Sequence, residues 1–403
     1  MALAGAGKFA ASISIMALFA ASSANAQDTA AVEIRAGGVA ATNPVLANSD
    51  DAGSFGASFE ILPRLGWTSA TGTVVVDGRL RYEEWFDDIN STLSGDVGLG
   101  VTKNVSETFN LFGNASYQSV ARSSPDLLIA GIDDQNLVPV TDGTLDLSDP
   151  TLGLEDNRRQ SVNISGGFQK NLTSVSDLTT TLSSSVNWFD RNGFDYRSTE
   201  LAIEYQRAVA PNFSILLEGR GAKTDFLEQA RGDGTFGTAL VGIRTQLSRT
   251  GVLSASAGAS IAEVDTGLGT TEDDVFFVAG LEFCEDLLQG TSCLGVSRQS
   301  RPTTIGGATS VTSASFGWSR SFRPGENLSF NLQYSDAEAA LAILDLGNAR
   351  RTKFFGATAN YTYPITDRFG LYISPSALLP LDNAQDRENN YQVMFGLSYT
   401  FGR

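Results

Sequence analysis

Glu33 and Arg35, then Glu60 and Arg64, then Asp77, Arg79, Arg81 and Glu83 set opposite charges on alternate positions of three neighbouring segments. Alternate positions share one face of a β-strand. Charges so placed can neutralise one another across a strand pair. They can also line water and impose a field on a passing solute. Both readings stand for this cluster. Arg64 and Arg81 have cross-strand partners in Asp77 and Glu60, which leaves Arg35 and Arg79 as the expected solute contacts. Glu204, Glu218, Arg220, Arg244 and Glu282 add a second set on later segments.

Other chemistries are excluded by composition. The chain has no histidine, which removes Ser-His-Asp hydrolysis, imidazole general bases and histidine zinc sites. No catalytic residue, cofactor or metal is expected. A net charge of −17 argues against nucleic acid as a partner. The two cysteines, Cys284 and Cys293, stand in "FCEDLLQGTSC", close enough to cross a tight turn. In an exported chain they are expected to form a disulfide.

The segment 122–157 is the longest connection. It carries Asp126, Asp133, Asp134, Asp142, Asp146 and Asp149, together with the apolar run "LLIAGI". Loops of this length are usually functional or disordered. Three uses are open: folding inward as a constriction, covering the outside as a lid, or binding calcium. The acid spacing does not match a calcium-loop motif.

Strands must position these side chains. Phe59, Ile61, Pro63, Leu65 and Trp67 share one parity, and comparable sets recur along the chain to Tyr391, Val393, Phe395, Leu397, Tyr399 and Phe401. Period two is the strand signature. Short turn signals lie at 69–72, 102–107, 171–177, 209–212, 248–251, 323–327 and 364–368. They alternate with more variable connections at 42–53, 87–90, 122–157, 191–194, 227–233, 267–273, 300–308, 336–352 and 380–388. This asymmetry predicts an all-β, antiparallel transmembrane β-barrel with short periplasmic turns and longer extracellular loops. With one further turn between the cysteines the count is about 18 strands. Without the two weakest segments, 30–40 and 293–300, it is 16. Either number encloses an aqueous lumen.

One hairpin has a calculable register. Pairing Ser69 with Gly72 sets Arg64 opposite Asp77 and Glu60 opposite Arg81, with Ile61–Leu80 and Phe59–Tyr82 on the other face. The stretch "DAEAALAILDLGNARR" at 336–351 is rich in Ala and Leu, and its propensity predicts a short outside helix.

The ends complete the domain plan. Residues 1–26 hold Lys8, the apolar "FAASISIMALFAASS" and then "ANA", the layout of a cleavable export signal ending near Ala26. The apolar stretch is shorter than the roughly 20 residues of a membrane span. Residues 27–403 are then one barrel domain. No large plug or passenger segment is expected before the first strand.

The export signal, the early "ATNPVLANSDD" loop followed by "FEILPRLGW", and the aromatic last strand resemble Gram-negative outer-membrane barrels. They are most similar to porin-type barrels often associated with exopolysaccharide secretion. The resemblance implies location in the cell outer membrane, contact with its lipid, and insertion by the barrel-assembly machinery. It implies passive passage of polar solutes, or export of a polysaccharide, with no enzymatic step. Here Phe401 is followed by Gly402 and Arg403, a departure from the usual terminal aromatic. The rival expectation is a secreted all-β binding or structural protein.

Overall fold

The computed structural model describes residues 27–44, 53–86, 91–120, 158–190, 195–227, 233–265, 271–302, 307–342, 351–381 and 389–402. The proposed export signal and all six aspartates singled out between 122 and 157 lie outside the described residues. The first strands are β1 (Gln27–Ala41), β2 (Ser54–Ser69), β3 (Gly72–Trp85), β4 (Thr92–Ser106), β5 (Phe109–Val120) and β6 (Arg159–Thr173). Next come β7 (Ser176–Phe189), β8 (Tyr196–Ala210), β9 (Phe213–Phe226), β10 (Gly234–Gln246), β11 (Gly251–Asp265) and β12 (Thr271–Leu287). The last are β13 (Gly290–Pro302), β14 (Gly307–Arg323), β15 (Glu326–Ala342), β16 (Arg351–Pro364), β17 (Phe369–Pro380) and β18 (Asn390–Gly402).

Each strand pairs antiparallel with its sequence neighbours, and β18 pairs with β1, so the 18-stranded sheet closes on itself. Closure leaves no edge strand with unpaired backbone groups. The closing seam pairs Ile34 with Tyr399 and Arg35 with Ser398, so the aromatic last strand seals the wall. The two weakest strand assignments are real strands, β1 and β13, and the count is 18 rather than 16.

Connections differ at the two ends. At one end they are tight: residues 70–71, 174–175, 211–212, 288–289 and 324–325 join consecutive strands. Pro324 and Gly325 illustrate why. Proline presets the first corner of a type II turn, and Gly325 takes the positive φ of 80° at the second. Two turns are tighter than the sequence signals suggest. Thr102–Ser106 continues β4, and the strand pairing runs to Thr173 in β6, because the hairpin ladders extend almost to the turn.

The outside helix expected at 336–351 is not formed over its first half. Asp336–Ala342 continues β15, whose ladder partners lie on β14 and, as far as Glu338, on β16. Backbone pairing to two neighbours outweighs the modest helical preference of Ala and Leu. Residues 343–350 lie outside the described residues.

The two faces of the wall differ. Trp67, Leu80, Tyr82, Leu217, Val241, Phe277 and Phe395 all point to one side and are exposed. Side chains of the opposite parity on β1, β3, β17 and β18 gather in one cluster, which puts that parity on the concave side and the belt outside. The opposite parity points into the barrel and is dominated by Ser, Thr, Asn, Gln, Gly and the charged residues. The inward face is not polar throughout. Toward the longer loops the inward face is packed. Val39, Ala41, Trp85, Tyr372 and Met394 form one buried cluster, and Phe236, Ala262, Val264, Phe276 and Ala308 another. Apolar inward side chains bury against one another instead of facing water.

Candidate functional site

The eight charged residues singled out on the first three strands fall on the inward parity. Arg35 of β1 stands opposite Glu60 of β2, and Glu60 stands opposite Arg81 of β3. Three charges of alternating sign thus form one rung across three strands. Arg81 donates to Glu60 Oε1 from Nε at 2.9 Å and from Nη2 at 2.7 Å. Arg35 Nη1 lies 3.5 Å from the other carboxylate oxygen, and Arg35 Nε donates to Glu33 at 2.8 Å. The Arg35 guanidinium also sits 5.5 Å over the Tyr372 ring.

Burial makes this rung stiff. Arg81 is 3% exposed and Glu60 7%. A charge pair taken out of water holds only when its hydrogen bonds are complete. Thr92 donates to Glu83, which is also buried, at 3.2 Å. Arg64 lies opposite Asp77 as the register predicts, and the Asp77 carboxylate leans over Gly98 on β4. A Cβ at Gly98 would lie 3.2 Å from Asp77 Oδ1, so glycine makes room for the carboxylate there.

Two sequence expectations change. Arg35 and Arg79 are not partnerless. Arg35 is held by Glu33 and Glu60, while Arg79 donates to Asp96 Oδ1 at 3.0 and 2.8 Å. Asp96 is the residue that sequence reasoning missed. It lies opposite Arg79 in the β3–β4 ladder, on the same inward parity. The early cluster is therefore a network of mixed sign.

The second set gathers on β8 to β12. Glu204 stands directly opposite Glu218, and Arg244 connects through Ser254 to Glu282 along the ladder. Glu204, Glu218, Arg244 and Glu282 line a recess of about 430 Å³ in the inner wall, floored in part by Leu216 and Leu240. Arg220 pairs with Glu218 and lies 4.0 Å from Glu200, a second acid absent from the sequence-derived set. Like charges directly opposed in a ladder repel. Arg220 and Arg244 offset part of that repulsion.

Cys284 and Cys293 are bonded, with Cα atoms 4.1 Å apart, and occupy directly opposite positions of β12 and β13. The bridge lies next to the tight Leu288–Gln289 turn, and Cys293 contributes to the recess.

Between these two charged arcs the inner wall carries uncharged hydrogen-bonding groups. Ser297 and Ser313 lie 2.7 Å apart, Thr291 and Ser319 3.2 Å, and Asn163 donates to Ser116 at 3.5 Å. Eight strands lie between β2 and β11 in either direction around the closed sheet, so the two arcs face each other across the lumen.

No family model matches the chain, and no curated protein matches it. Solved structures that are similar include OccK2 (OpdF) of Pseudomonas aeruginosa in complex with glucuronate, at 13% identity and TM-score 0.44, covering 93% of this chain and 98% of that one. OccK8 (OprE) of the same organism gives 11% identity and TM-score 0.42, covering 94% and 98%. The FrpB iron transporter of Neisseria meningitidis gives 8% identity and TM-score 0.45, covering 88% and 63%. The fold assignment rests on this chain's own closed ladder.

Proposed function

We propose that the chain is an outer-membrane channel through which small polar solutes pass by diffusion, with no chemical step. One observation carries this reading. The closed barrel turns an apolar belt outward and two facing charged arcs inward, separated by hydroxyl and amide groups. The outward belt suits lipid, and the inward wall suits water and polar solutes. Residues 1–26 act in this reading as the export signal, and the barrel-assembly machinery inserts the strands.

The arcs give the channel a transverse field. The recess at Glu204, Glu218, Arg244 and Glu282 offers both signs of charge beside an apolar floor, a surface suited to zwitterionic or hydroxylated solutes. The packed inward face toward the longer loops favours small solutes over a polysaccharide chain, the other cargo that the sequence suggested.

Planar-bilayer recording of the refolded protein tests the reading. Discrete conductance steps, with ion selectivity that responds to inward-face substitutions, are expected. A protein that stays monomeric and soluble in plain buffer, without detergent, would instead be a secreted all-β protein. Size-graded liposome swelling separates the cargoes: monosaccharides should enter, and long oligosaccharides should not.

A further inference from the structure

We propose that the recess in the inner wall is a subsite for α-amino acids with aliphatic side chains, in which Arg244 takes the solute carboxylate and Glu282 its ammonium. The proposal rests on the channel reading above and names one solute class for it.

The recess exists because large side chains are missing from this part of the wall. Two neighbouring rungs of the ladder cross it on the inward face. One reads Leu216, Gly242, Ser256, Gly280 and Ser297, from β9 to β13. The next, nearer the tight turns, reads Arg244, Ser254, Glu282 and Gly295, from β10 to β13. Apart from Leu216, Arg244 and Glu282, every position of these two rungs is glycine or serine. The wall is thin there, and a volume of about 430 Å³ opens before it. Sites for small molecules run from about 300 to 1,000 Å³.

Two charges bracket this space. Arg244 and Glu282 share one rung with Ser254 between them, so their backbones stand two strand spacings, about 10 Å, apart. Both are exposed, and among the described residues neither forms an ion pair. In the facing arc, by contrast, Arg79 and Arg81 are each bonded to a carboxylate. Arg244 therefore keeps its planar fork for an incoming carboxylate, which it grips through two parallel hydrogen bonds. Glu282, as a carboxylate, only accepts, and so takes a cationic donor such as ammonium. A solute with one charge serves one of the two side chains. An α-amino acid carries both groups on a single carbon and serves both.

The same geometry selects the rest of the solute. With the head group over Ser254, the side chain lies over Gly242 and Ser256 and reaches Leu216 and Leu240. Leu216 is the ladder partner of Gly242, and Leu240 precedes Gly242 by two residues on the same face. Contact with these two leucines removes aliphatic surface from water, a gain that a solute without a side chain lacks.

Planar-bilayer recording of the full refolded barrel tests this, with leucine and its two one-charge analogues as probes. Leucine should reduce the ion current in a saturable way. 4-Methylpentanoate, which lacks the ammonium, and 3-methylbutylamine, which lacks the carboxylate, should each block about tenfold more weakly, and glycine should also be weaker. Arg244→Gln should weaken leucine about tenfold and leave 3-methylbutylamine unchanged. Glu282→Gln should weaken leucine as much and leave 4-methylpentanoate unchanged. Equal block by leucine and either analogue overturns the proposal, and so does leucine block that survives both substitutions. Stronger block by lysine than by leucine would place the side-chain end at Glu204 and overturn the aliphatic assignment. The wild-type series decides the matter even if a variant does not refold. A conducting barrel that leucine does not block overturns this proposal alone, whereas a barrel that forms no conducting pore overturns the channel reading and this proposal with it.

Discussion

Arg81 stands opposite Glu60 across the β2–β3 hairpin and gives two hydrogen bonds to one carboxylate oxygen, at 2.9 and 2.7 Å. Both side chains are buried. Arg81→Ala leaves Glu60 buried with Arg35, at 3.5 Å, as its remaining ion-pair partner. The expected loss is about 3–5 kcal/mol of stability. Arg81→Met combined with Glu60→Gln should cost far less, since neither variant side chain keeps a charge. Urea unfolding midpoints in lipid vesicles give both values. Equal losses for the single and double variants would show that packing, not charge, holds the rung.

Arg79 and Asp96 govern the field rather than the frame. Arg79 is bonded to a partly exposed carboxylate on the inner wall. Arg79→Gln releases the Asp96 charge and should move the reversal potential in a salt gradient toward cation selectivity. Conductance should change much less, because the substituted side chain is of similar length. Asp96→Asn should move selectivity the opposite way. Unchanged reversal potentials for both would place this pair away from the ion path.

The Cys284–Cys293 bond closes a short loop between adjacent, already paired strands. By chain entropy such a loop contributes about 2–3 kcal/mol. Serine at both positions should lower the unfolding midpoint while leaving the barrel able to close. Intact mass of the exported protein should be about 2 Da below that of the reduced form, for the two hydrogens lost when the sulfurs join. An unshifted mass would show free thiols after export.

The outward and inward faces should respond oppositely to the same residue. Val241 is outward, 60% exposed and near the middle of β10. Val241→Arg should cost about 2–4 kcal/mol in refolding equilibria with lipid. Ser256 lines the recess between Gly242 and Gly280 of the flanking strands. Ser256→Arg should cost little stability and should shift selectivity toward anions. Similar stability losses at the two positions would contradict the assignment of faces.

The parts of this molecule that were legible in the sequence are those fixed locally. The turn after Ser69 pins one register, and from it the Arg64–Asp77 and Glu60–Arg81 juxtapositions follow. Period two shows which side each residue takes, and aromatics mark the outside. The Arg79–Asp96 pair was not legible, because the connection 87–90 is too variable to set the β3–β4 register by itself. The strand at Asp336–Ala342 was hidden for a different reason: its local composition favours helix, while its ladder partners are remote in sequence. Parity also cannot show that Val39, Trp85 and Met394 meet, since their contact depends on the curvature of the closed wall.

Glu204 and Glu218 supply the last prediction. They occupy directly opposed positions of β8 and β9 and face the same recess. Arg220 is engaged by Glu218 and Glu200, which leaves Glu204 against a like charge. Opposed like charges in a ladder destabilise by roughly 0.2–1 kcal/mol. Glu204→Gln keeps the shape and the hydrogen-bonding capacity while removing one charge. The barrel should gain up to about 1 kcal/mol at low ionic strength, and the gain should shrink as salt screens the pair. Cation selectivity should fall at the same time, because the recess loses a negative charge from the water path. Glu218→Gln is the discriminating control. It relieves the same repulsion but also removes the partner of Arg220, so its stability gain should be smaller or reversed. Chemical unfolding at two salt concentrations, paired with reversal potentials, measures all of this on the same two proteins. A salt-independent effect of Glu204→Gln would mean that the carboxylates do not repel across the ladder, and the recess would then have no claim to act on charged solutes.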